Sequence, residues 1–134
     1  MKVCDFRILA GLFVLLFSRC DRNPFPQGER LYNAHCASCH MEDGTGLVAW
    51  YPPLKKSDYL LKNQSMLPCI IRFGLEESIT VNGVVFDLPM DGFPQLDEAE
   101  INNLINFISS RWGDKRFVQP ETISEQLTEC SEQE

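Results

Sequence analysis

The chain has 134 residues, the length of one domain with extensions. Hydrophobic residues make up 44% and charged residues 23%, which excludes a largely disordered or fibrous chain. The formal net charge of -7, from 19 acidic and 12 basic residues, excludes the phosphate attraction behind nonspecific nucleic-acid binding and favours a basic partner.

Residues 1–7 carry Lys2 and Arg7, and 8–17 form a ten-residue apolar run, the charged and hydrophobic regions of an export signal. A spanning helix needs about 20 apolar residues, so we read 1–19 as a removed signal peptide rather than a permanent anchor. The run ends in Leu16-Phe17-Ser18-Arg19-Cys20, which resembles the lipobox of bacterial lipoproteins; Arg19 stands where that pattern has a small residue. The resemblance implies lipidation of Cys20 and a periplasmic protein held to a membrane by its lipid. The other reading is ordinary cleavage with Cys20 left as a thiol, but no small-x-small site precedes it.

Residues 20–27 are polar, contain Pro24 and Pro26, and suit a tether. Gly28, Leu31, Tyr32 and His35 follow at i, i+3, i+4 and i+7, which predicts a first helix leading into Cys36. From 41 to 56, Gly44, Gly46, Pro52 and Pro53 without any sustained period predict a loop able to wrap a ligand. Ser57 caps a short predicted helix over 57–61, and a second piece over 66–73 stops at Gly74. Segment 79–86 is β-branched around Asn82-Gly83, the pair of a type I′ turn, and reads as a small ribbon or a loop. Asp97 and Glu100 form a capping box before Ile101, Leu104, Ile105, Ile108 and Trp112, a helical face that should pack inward and stop at Gly113. Residues 114–134 are acidic and polar, and we expect at most one marginal helical stretch, near 122–127.

Cys36-Ala37-Ser38-Cys39-His40 fits C-x-x-C-H, the haem attachment signature. Two intervening residues set the thiols at neighbouring porphyrin vinyls, and the histidine reaches the iron from one face. A dithiol oxidoreductase would need a βαβ setting and a low-pKa thiol. A zinc site would need a second ligand pair, and Cys69 and Cys130 have no partner at ligand spacing. Export to an oxidising compartment, where bacterial haem attachment occurs, supports the same choice independently.

With Gly28-x-x-Leu31-Tyr32 before the motif, Tyr51-Pro52-Pro53-Leu54 after it, and Met90 followed by Phe93, Leu96 and Asp97, the chain resembles the class I cytochrome c family over 28–113. The resemblance implies an all-α fold of about four or five short helices around one covalently attached haem c, with a possible small β-ribbon. It implies that Gly28 and Tyr32 meet the last helix near Phe107, that His40 and Met90 are the axial iron ligands, that the Pro52 carbonyl faces His40, and that Leu54 packs on the porphyrin. The family usually places proline directly after its methionine, whereas here Pro89 precedes Met90 and Asp91 follows. Of the other candidates, Met41 adjoins His40, Met66 is expected as core filler, and His35 sits one residue before Cys36, badly placed for the far haem face.

The expected function is single-electron transfer between redox partner proteins, with Cys36, Cys39, His40, Met90, Pro52 and Leu54 around the haem iron and no catalytic residue. The alternative is a haem enzyme or gas sensor with a displaceable distal ligand. Cys69 and Cys130 are open between a disulfide and a free, buried Cys69.

Overall fold

The computed structural model describes residues 23–131, so segment 1–19, read above as an export signal, and Cys20 lie outside the described residues. Helix α1, Pro26–His35, starts on a proline whose fixed φ suits the first helical turn. Its start is held by Asn23, which accepts from the Phe25 amide at 2.9 Å and donates to Glu29 at 2.9 Å. The chain turns at Cys36 into the single-turn helix α2, Ala37–His40.

Helix α1 crosses α5, Glu98–Arg111, and the crossing is set by Gly28: a Cβ there would run into the Asn103 carbonyl and the Phe107 side chain. One turn on, Tyr32 is fully buried, with its ring 5.5 Å from Phe107 and 5.0 Å from Trp112. Its hydroxyl donates to the Met41 carbonyl at 2.7 Å. Burial holds the phenol well above its ordinary pKa, so it remains a donor. The capping box of α5 is complete: Glu100 N–H donates to Asp97 at 2.8 Å, and Asp97 N–H to the Glu100 carboxylate at 3.0 Å.

Between these helices lie the loop 41–56; α3, Asp58–Lys62, capped by Ser57 Oγ accepting from Leu60 N–H at 3.0 Å; and α4, Leu67–Phe73, reached through a 3-10 turn at Gln64–Met66. A ribbon then runs out and back. Strand β1, Gly74–Leu75, pairs antiparallel with β4, Met90–Asp91, while β2, Ile79–Val81, pairs with β3, Val84–Phe86. Asn82 and Gly83 both have positive φ, as a type I′ turn requires. The turn is tied to α3 by a reciprocal pair, Asn82 N–H to Asp58 at 2.7 Å and Asp58 N–H to Asn82 at 3.1 Å.

The C-terminal segment departs from expectation. Pro120–Ser131 is a twelve-residue helix, α6, packed on α4 and α5 rather than a marginal turn in a polar extension. Ile123, Leu127 and Cys130 lie at i, i+4 and i+7; the first two are buried, and Cys130 is bonded to Cys69 across a Cα separation of 5.9 Å. The disulfide and the apolar contact outweigh the polar composition of the segment. The 113–118 segment leading into α6 covers α5 where Asn102, Asn106 and Ser109 are buried, with Val118 bonded to both asparagines and Lys115 N–H to the Ser109 carbonyl. Among the described residues there are thus six α-helices and two small antiparallel pairs.

Candidate haem site

Cys36 is placed by the last backbone bond of α1, its N–H donating to the Tyr32 carbonyl at 2.8 Å. Cys39 and His40 follow on α2, where Cys39 and His40 N–H both bond back to the Cys36 carbonyl. Both thiols are free, while Cys69 and Cys130 are joined to each other. Burial, with repulsion from Cys39, pushes the Cys36 thiol up to about 12. That is the reverse of the acidic thiolate a dithiol oxidoreductase uses.

His40 is half-buried, and its Nδ1–H donates to the Pro52 carbonyl at 2.9 Å. A carbonyl only accepts, so the proton sits on Nδ1 and the lone pair on Nε2. Burial lowers the pKa of the ring, against the opposing effect of the bond to Pro52, and so favours the neutral imidazole, the form that binds a metal. The loop is arranged to deliver that carbonyl. Gly46 N–H bonds the His40 carbonyl at 2.9 Å, and Gly46, at φ 65°, lies so close to Pro52 that a Cβ would strike its carbonyl. Leu54, half-buried against the core, is fixed by its N–H to the Gly44 carbonyl at 2.9 Å. Two thiols free in a chain that pairs its other described cysteines, and an imidazole with one nitrogen committed and one available, are a donor set that fits a covalently held haem.

Met90 is half-buried in β4, opposite Leu75. Its backbone is pinned by a close crossing. Gly74, at φ 87° and ψ -167°, lies where a Cβ would hit the Met90 carbonyl, and a Cβ on Gly92 would hit the backbone of 72–74. Phe93 N–H to the Ile71 carbonyl at 2.8 Å and Arg72 Nη1 to the Pro94 carbonyl at 3.1 Å lock the exit. Reading Gly74 as a helix stop alone therefore missed half its role; a second glycine at 92, two residues after the methionine, was the available signal.

The other candidates are accounted for. His35 packs its ring 5.4 Å from Phe93, at the end of α1. Met41 has φ 63° and contributes its carbonyl to Tyr32. Met66 is not core filler: it closes the 3-10 turn in an exposed position, while Leu67 and Pro68 beside it are buried.

Comparison with known proteins bears on the same stretch. The family model described as Cytochrome c matches residues 26–112. Cytochrome c-552 of Thermus thermophilus is 33% identical over 96 residues, covering 69% of this chain and 72% of that protein. A second cytochrome c-552 from the same species matches at 33% identity, with 64% of its own length covered. The cytochrome c subunit of the quinone alcohol dehydrogenase of Gluconobacter oxydans is 31% identical over 99 residues, 72% of this chain but 20% of that larger protein.

Proposed function

The chain belongs to the cytochrome c family, whose members carry covalently attached haem c and act as electron carriers, and from that premise we propose how its own residues do this and where. Cys36 and Cys39 would hold the porphyrin through thioether bonds, and His40 Nε2 and Met90 would ligate its iron. The haem supplies a one-electron centre, and a thioether ligand raises its potential. His40 is oriented by Pro52, which fixes its tautomer and increases its basicity. Leu54 shields the porphyrin from water on the same side. The observation carrying this reading is the pairing of two free thiols with an imidazole whose Nδ1 is already bonded to Pro52.

The chain works as an electron-transfer module of the cell envelope, anchored by a lipid on Cys20. Its partners are redox proteins, a donor and an acceptor; the relative that forms the cytochrome subunit of a quinone dehydrogenase is one pattern for such a partnership. The partner docks with a basic surface. Between Arg72 and Arg111 there is no Lys or Arg, and the two arms of the Met90 ribbon expose Glu76 and Glu77 on one side and Asp87 and Asp91 on the other. Such a field speeds encounter and is screened by salt.

Absorption spectra of the holoprotein and of Met90→Ala test the ligand assignment. The wild type should show a methionine-to-ferric-iron charge-transfer band and resist carbon monoxide, and the variant should lose the band and bind the gas. An unchanged spectrum in the variant would remove Met90 from the iron.

A further inference from the structure

We propose that the face carrying Phe25 and Phe117, with the basic segment 111–116, seats on the lipid surface and so orients the domain. This rests on the reading of Cys20 as the lipid-bearing residue. Asn23 follows Cys20 by three positions, at most about 11 Å of chain, so the start of α1 is held close to whatever holds the lipid.

What the structure places there is an aromatic pair. The rings of Phe25 and Phe117 are stacked with centroids 6.1 Å apart and planes 12° from parallel, and Phe117 is 57% exposed. The exposure is built in. The buried side chains of Asn102 and Asn106 hold Val118 from both sides: Val118 N–H donates to Asn106 at 2.8 Å, and its carbonyl accepts from Asn102 at 2.9 Å and Asn106 at 3.0 Å. With Val118 fixed against the core, its neighbour Phe117 is directed outward onto Phe25. Aromatic side chains at such a position favour the interfacial zone of a bilayer.

Charge points the same way. In a chain of net charge -7, segment 111–116 carries Arg111, Lys115 and Arg116, all exposed. Asp114 pairs with the Arg116 side chain and accepts from its backbone N–H, which leaves Arg111 and Lys115 as the positive charge of the segment. Basic groups near an anionic leaflet are each worth about fivefold in association. With the anchor supplying a high local concentration, even a weak patch decides which face is turned down. Phe25 stands at the start of α1 and the Cys36–His40 motif beyond its end, one helix length of about 15 Å away.

The test uses full-length holoprotein extracted from host membranes, its N-terminal lipid read by intact mass, and reconstituted into vesicles of phosphatidylcholine with a minority of phosphatidylglycerol. Amide exchange should slow at 23–25 and 115–119 relative to Cys20→Ser holoprotein, exported behind a signal with an ordinary cleavage site so that residues 1–19 are removed, in buffer, and stay unchanged at 87–93. Phe117→Ser should return 23–25 to its solution rate with the haem spectrum intact. Lys115→Gln should weaken vesicle association of the Cys20→Ser protein about fivefold. Anchored protein with no slowing at 23–25 and 115–119 would overturn the proposal. If the mass shows no lipid, the anchor reading fails by itself. The seating face is then decided by whether the Cys20→Ser protein sediments with these vesicles in a salt-sensitive way that Phe117→Ser abolishes; no sedimentation overturns it.

Discussion

The two sides of the proposed iron site are built by different means. On the His40 side, thiols and imidazole come from one pentapeptide at the end of α1, and the supporting carbonyl arrives twelve residues later through a tight loop. On the Met90 side, the methionine sits in a two-residue strand whose place depends on Gly74 and Gly92 crossing and on Phe93 reaching Ile71. The first side is local and covalent, the second tertiary and held by backbone contacts, so damage to one should leave distinct traces from damage to the other.

The largest effect is expected for His40→Ala. It removes the ligand and the Pro52 bond together, so the low-spin haem spectrum should vanish whatever Met90 does, while the thioethers of Cys36 and Cys39 still retain haem on a denaturing gel. Retention of the wild-type spectrum would contradict the assignment.

Gly74→Ala should act on the other side alone. A side chain at φ 87° and ψ -167° is strained and meets the Met90 carbonyl. We expect a loss of about 1–3 kcal/mol in chemical denaturation, with partial loss of the methionine charge-transfer band and new carbon monoxide binding. Loss of stability with an undisturbed band would mean that the crossing does not position Met90.

Pro52→Ala should do least. The acceptor is the backbone carbonyl, which alanine keeps, so stability should change by no more than about 1 kcal/mol and the axial spectrum should persist. A large spectral change would show that the ring of Pro52, rather than its carbonyl, sets the orientation of His40.

Legibility followed the same division. The first helix, the Ser57 cap, the Asp97 capping box and the Asn82-Gly83 turn were all readable, because each is a short-range pattern whose partners lie within a few residues. Helix α6 was not: Ile123 and Leu127 are sparse among acids, and their burial becomes favourable only where α4 and α5 offer a surface and Cys69 a bond. The outward placement of Phe117 was equally hidden, since it depends on Asn102 and Asn106, two polar residues that look like an exposed face until the 114–118 segment covers them.

By itself, then, the sequence determined the attachment chemistry and the family, because C-x-x-C-H is contiguous and its geometry is carried by one turn of chain. The tertiary structure alone decided how closely the Met90 ribbon is held and that the C-terminal segment closes over α5, whereas the Pro52 carbonyl at His40 was already implied by the family resemblance. Those outcomes depend on contacts between residues distant in the chain, whose free energy exists only once both surfaces are in place.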